Sequence, residues 1–186
     1  MQLLPLLLAA TLVCGFARPA SAAESPTPED IAVLRAALAP DCERPGPGYV
    51  LLSTKVAGVD SDDRVPADWA EAEELTARLK SRAEATSSWS GVRVCRKVLV
   101  RRDGDIQRLI HSSPTLDRGW KNFYAVYPGA HGVLYVSLPA YSADGSRAVI
   151  VLGTGCGSLC GVGEIVELEK KDGVWRRTRD QETWIS

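Results

Sequence analysis

Hydrophobic and polar positions along the chain change period several times, and each change marks an element. Residues 28–38 carry Ile31, Leu34 and Leu38 on one face of a helical spacing. Thr27 is placed to cap that helix, Pro28 suits its first turn, Asp30 adds negative charge near the positive end of the dipole, and Pro40 stops it. The run Glu43-Arg44-Pro45-Gly46-Pro47-Gly48 is a turn-rich connector, and residues 49–55 read as a strand. After an acidic loop with Asp60, Asp62 and Asp63, Pro66 opens a second predicted helix. Its Trp69, Ala72, Leu75, Leu79 and Ala83 recur at helical spacing, and its other face is Glu, Arg and Lys.

From residue 92 to 100 the period becomes two. Val92, Val94, Val98 and Val100 share one parity, while Arg93, Lys97 and Arg101 share the other with Cys95, which predicts a half-buried strand. Arg102-Asp103-Gly104-Asp105 then reads as a hairpin turn into a strand at 106–111. Asp117 is placed to cap a short helix with an aromatic stripe of Trp120, Phe123, Tyr124 and Tyr127, ended by Pro128-Gly129. Beyond Gly132 come short strands separated by turn signals at Asp144-Gly145 and Asp172-Gly173: 133–138, 147–152, 165–169, 174–178 and 183–185. Residues 148–152 are apolar on both parities and predict a central strand, whereas Glu167 and Glu169 place one face of the next strand in water. The expected fold is one α+β domain over residues 23–186, an antiparallel sheet ending in a C-terminal meander with two to three helices on one face.

Composition decides the compartment and removes several functions. Residues 3–16 are almost entirely apolar and Ala20-Ser21-Ala22 supplies small side chains for a signal peptidase, so residues 1–22 read as a secretory signal peptide cleaved near Ala22. The apolar run is short of the roughly 20 residues that span a bilayer, and no later run reaches that length, so no transmembrane segment is expected. Cys14 lies in the discarded run, preceded by Val13 where lipoprotein processing takes a small residue. The remaining 164 residues suffice for one core. With 22 Lys and Arg against 23 Asp and Glu there is no excess positive charge to neutralise a phosphate backbone, so nucleic acid is not an expected partner.

Four cysteines remain after the leader, Cys42, Cys95, Cys156 and Cys160, an even number in an oxidising compartment. Four cysteines allow three pairings; the glycines around Cys156 and Cys160 favour a tight return that joins those two, leaving Cys42 with Cys95.

The segments Trp120-Lys121-Asn122-Phe123-Tyr124-Ala125-Val126-Tyr127-Pro128-Gly129 and Gly155-Cys156-Gly157-Ser158-Leu159-Cys160-Gly161, with the closing Trp184-Ile185-Ser186, are fairly specific in their combined spacing. Over residues 119–186 the chain resembles a family of uncharacterised bacterial exported proteins with a W-x-x-F-Y-x-x-Y-P segment, a meander, a C-G-x-L-C-G loop and a W-[IV]-S end. The resemblance implies a bacterial envelope protein, periplasmic or secreted, and carries over no activity.

Candidate chemistry is thin. Cys156 and Cys160 offer a structural staple, a metal-binding pair or a redox dithiol. Redox pairs usually sit as Cys-x-x-Cys at a helix N-terminus, and here the flanks read as strands. Zinc would have to recruit His111 and His131, whose spacing fits no finger pattern. His131, Ser137 and Asp144 are a base, a nucleophile and an orienter by residue type, but no Gly-x-Ser-x-Gly elbow surrounds Ser137. The acidic loop lacks the Gly and terminal Glu of an EF-hand, and the basic patch of Arg93, Arg96, Lys97, Arg101 and Arg102 reads as a solvated strand face. The expectation is a monomeric, non-catalytic binding domain without metal or cofactor, its partner an envelope protein or small ligand. The alternatives are a small hydrolase using His131 with Ser137 and a thiol redox protein using Cys156 and Cys160.

Overall fold

A computed structural model describes residues 25–84 and 87–186; the expected signal peptide, residues 1–22, lies outside them. The first helix, Pro28–Ala37 (α1), begins as its residues dictate. Thr27 Oγ1 accepts from the Asp30 N–H at 3.1 Å and Asp30 Oδ2 accepts from the Thr27 N–H at 2.8 Å, a reciprocal capping box. A short helical turn, Ala39–Glu43 (α2), carries Cys42 to disulfide distance of Cys95, with a Cα–Cα separation of 6.0 Å. Three longer helices follow, Ala72–Ala83 (α3), Asp103–His111 (α4) and Leu116–Val126 (α5).

One sheet holds the strands Tyr49–Val56 (β1), Val98–Arg101 (β2), Ala130–Val136 (β3), Ala140–Tyr141 (β4), Arg147–Gly157 (β5), Cys160–Lys171 (β6) and Val174–Ile185 (β7), in the order β2-β1-β3-β5-β6-β7 with β4 beside β5. The chain is α+β, and β5, β6 and β7 form the expected antiparallel C-terminal meander. At the other end β1 pairs in parallel with both β2 and β3, with α3 in the first crossover and α4 and α5 in the second.

Both faces of this sheet are covered. Even-numbered Ala148, Ile150 and Leu152 of β5 pack with Leu34 of α1 and with Leu38 at its C-terminal cap; odd-numbered Val149 and Val151 pack with Trp69, Leu75 and Leu79. A third cluster sets Ile106 and Ile110 of α4 and Phe123 of α5 against Leu51 and Val133. Three helices thus share one face, while α1 lies on the other because a strand buried on both parities requires cover on both sides.

Several local expectations change. Residues 103–111 are helix rather than turn and strand: Ile106 and Ile110 stand one helical turn apart in the core, and Asp103 and Asp105 lie in the first turn where the dipole favours them. In the 92–100 stretch the strand begins only at Val98, since the backbone turns back through a Cys95–Val98 bridge. The second helix starts at Ala72, after Glu71 at φ 56°. Thr115, not Asp117, caps α5, and residues 174–185 are one continuous strand. Glu167 is buried instead of solvated. Its Oε2 accepts from Arg179 Nε at 2.7 Å, and the Arg179 guanidinium lies 5.0 Å from the Trp69 ring centroid. The segment before α3 covers that part of β6, which the alternation of its own side chains does not reveal.

Candidate functional site

The hairpin end of β5 and β6 is stripped of side chains on one face. Gly153 pairs with Gly163 and Gly155 with Gly161, so two successive rungs of the sheet present bare backbone. Trp184 of β7 stands beside Gly163 in register, and its indole lies in the space the missing side chains leave. A Cβ on Gly163 would fall 2.0 Å from Trp184 Nε1, and one on Gly161 2.9 Å from Cζ3. Tyr135 of β3 pairs with Gly153 from the opposite side. Trp120 of α5 sits over Gly155, 3.5 Å from where its Cβ would be.

Over this floor opens a cavity of about 390 Å³. The first two turns of α4 supply Asp103 and Gln107 to its wall, the loop after β1 supplies Asp60 and Asp63, and β1 supplies Lys55. Asp103 is fixed at both ends, since its N–H donates to Thr54 Oγ1 at 3.0 Å and its Oδ1 accepts from Ser53 Oγ at 2.8 Å. Gln107 Nε2 donates to the Tyr135 hydroxyl at 3.1 Å. Burial first, and then the negative charge of Asp103, push the Tyr135 phenol above its ordinary range, against the pull of Gln107. The phenol is therefore neutral at physiological pH, its own proton available to donate. Asp63 is only 4 % exposed, and its Oδ2 accepts from the Asp60 N–H at 2.9 Å.

Three acids and one lysine give the wall a net negative charge. One oxygen each of Asp63 and Asp103, the whole Asp60 carboxylate and the Lys55 ammonium have no hydrogen-bond or ion-pair partner among the described residues. Trp184, 43 % exposed, adds an apolar surface. Such a site can bind by charge, hydrogen bonding and stacking.

Of the residues singled out from sequence, Cys156 and Cys160 come to disulfide distance, Cα–Cα 5.0 Å, across the β5–β6 hairpin, and Cys160 stands at the cavity rim. The flanks are strands, so neither cysteine stands in the first turn of a helix of its own. Cys42 and Cys95 staple α2 to the segment before β2.

His131 and Ser137 are not brought together. They are six residues apart along β3 and its extension, roughly 20 Å at about 3.3 Å per residue. The His131 ring packs on Gly48, whose Cβ would fall 1.7 Å from Nε2. Ser137 is fully buried, its Oγ donating to the Leu138 carbonyl at 3.0 Å and accepting from the Val151 N–H at 2.9 Å. Asp144 accepts from Ser142 and Ser146 within its own turn. In the basic patch, Lys97 Nζ donates to the Gly46 carbonyl at 2.9 Å and also to that of Arg44, tying down the proline-glycine connector. Among the described residues no three His, Cys, Asp or Glu side chains group as metal ligands.

Sequence reading missed Asp103, Gln107, Tyr135 and Trp184 as neighbours. The available signal is the alternation of Gly153, Gly155 and Gly157 with that of Gly161 and Gly163, which marks one sheet face as bare. Comparison of the chain with protein-family models, curated proteins and solved structures gives no match.

Proposed function

We propose that this chain is a non-catalytic exported envelope protein that binds a ligand or partner segment in the glycine-floored cavity. The observation that carries the reading is the convergence, on one concavity, of an exposed indole and polar groups without partners among the described residues. Export is supported by two cysteine pairs at disulfide distance, which suit an oxidising compartment. The resemblance to bacterial exported proteins over residues 119–186 points the same way. Among the described residues no helix is long and apolar enough to cross a membrane. The hydrolase and thiol-redox alternatives draw less support, because the Ser137 hydroxyl is engaged with backbone and Cys156 and Cys160 lie in a strand hairpin and not in the first turn of a helix.

The test is ligand-observed NMR against a metabolite library together with an ester and peptide hydrolysis screen. Gly153→Leu is the control, because a Cβ there meets its neighbours at 3.8 Å and beyond and the longer side chain fills the floor. Binding abolished by Gly153→Leu, without turnover, is the expected result. Turnover abolished by His131→Ala, or binding indifferent to Gly153→Leu, would overturn the proposal.

A further inference from the structure

Resting on the reading of this cavity as a binding site, we infer that its ligand is a small organic cation, an ammonium or guanidinium group carried on an apolar stem. Three observations select that class. The lining carries three carboxylates, Asp60, Asp63 and Asp103, against one ammonium, Lys55, so an anionic ligand meets net repulsion. Asp60 has both carboxylate oxygens unpartnered among the described residues, and Asp63 and Asp103 have one each, so the site offers acceptors where a cation supplies donors or charge. Trp184 is pressed over bare backbone with much of its ring exposed, and an aromatic face attracts a cation while its hydrocarbon stem packs on the same surface.

A hard metal ion fits less well, since no three candidate ligands converge among the described residues. A neutral sugar would use the indole and the hydrogen-bond acceptors, but would leave the carboxylates without counter-charge. Cations also explain the position of Lys55. It offsets part of the acidic charge in the empty site and is the group a bound cation would work against.

Choline and arginine amide are the probes, 3,3-dimethylbutan-1-ol the neutral isostere of choline, and maltose the neutral sugar. Titrations are followed in ¹⁵N NMR spectra of the oxidised protein through the Trp184 indole N–H and the Gly153 and Gly155 amides. The cations should shift these signals and the isostere should not. Trp184→Ala and Asp60→Asn should each weaken binding about tenfold, and Lys55→Ala should tighten it several-fold, a sign that a merely structural role for Lys55 does not produce. If maltose or the neutral isostere binds as well as choline and Gly153→Leu abolishes it, the cation assignment falls while the cavity stands as a binding site. If no probe shifts the floor signals at tens of millimolar, or cation binding survives Gly153→Leu, the assignment is overturned.

Discussion

Asp30 is a helix-capping residue that also carries a buried ion pair, and replacing it separates the two roles. The carboxylate is fully buried. Its Oδ2 accepts from Arg82 Nη2 at 3.0 Å as well as from the Thr27 N–H, and its Oδ1 accepts from the Tyr141 hydroxyl at 2.8 Å. These bonds tie α1 to α3 and β4. Asp30→Ala removes the side-chain half of the capping box, the bond from the Thr27 N–H, about 1 kcal/mol, and leaves the Tyr141 hydroxyl and Arg82 without their acceptor. One-sided loss of a buried pair costs about 3–5 kcal/mol. Arg82 is 24 % exposed and keeps a 2.8 Å bond to the Pro139 carbonyl, which softens the loss. The expected total is about 3–4 kcal/mol, a large part of the roughly 5–15 kcal/mol that holds a domain of this size together. Asp30→Asn retains an acceptor for Thr27 and should cost about half as much, isolating the charge.

Burial pushes the Asp30 carboxyl upward, but the hydrogen bonds from Arg82, Thr27 and Tyr141 together outweigh it and hold it below its ordinary value. A carboxylate depressed on folding stabilises the native state fully above its unfolded pKa, about 4, and that stabilisation is lost as pH falls through the folded value. Urea denaturation of wild type and Asp30→Asn should therefore give a constant stability difference between about pH 5 and 7, shrinking below about pH 4. An Asp30→Ala cost under about 1 kcal/mol, or a difference that grows on acidification, would refute the reasoning.

Two further perturbations probe the covalent and steric frame. Cys42→Ser should destabilise more than Cys156→Ser, because the first bridge closes a loop of sequence separation 53 and the second one of 4, about 4 against about 2 kcal/mol on the chain-entropy account; equal losses of Tm would show that local packing decides instead. Gly119→Ala should cost about 2 kcal/mol or more through overpacking, because its Cβ would fall 1.8 Å from the backbone oxygen of Ile110, where α5 meets α4; an unchanged melting temperature would sink that account.

The elements that sequence reading located correctly are those whose signals are local. Thr27, Pro28 and Asp30 define the start of α1 through contacts three residues apart, and the turns at Asp144-Gly145 and Asp172-Gly173 set the meander through neighbouring residues. The errors fall where distant partners decide. Asp103-Gly104-Asp105 satisfies both a turn and a helix start, and the choice is made by Ile106 and Ile110 packing on Leu51, far away in the chain. Glu167 sits on the face that alternation assigns to water, yet Trp69 and Arg179 close over it. The parallel pairing of β1 with β3 depends on crossovers whose course no short motif encodes.

Two glycines of the cavity floor, Gly153 and Gly155, differ physically from Gly132 and Gly163 beside them. Gly132 has φ +142° and a Cβ there would fall 2.4 Å from the Gly155 carbonyl oxygen, so backbone geometry demands it. Gly163 lies under the Trp184 indole, where a side chain would displace the ring. Gly153 and Gly155 carry no such constraint: a Cβ at either would meet its neighbours at ordinary van der Waals distances, 3.8 and 3.5 Å. Glycine inside a strand costs about 0.5–1 kcal/mol relative to alanine, so two of them together lower the stability of β5 where packing would accept a Cβ. What they preserve is the open space beside Tyr135 and Trp184. On the proposed binding function the sheet carries that cost to keep a concave, acidic surface bare, and Gly153→Leu should then stabilise the fold or leave it unchanged while it closes the site.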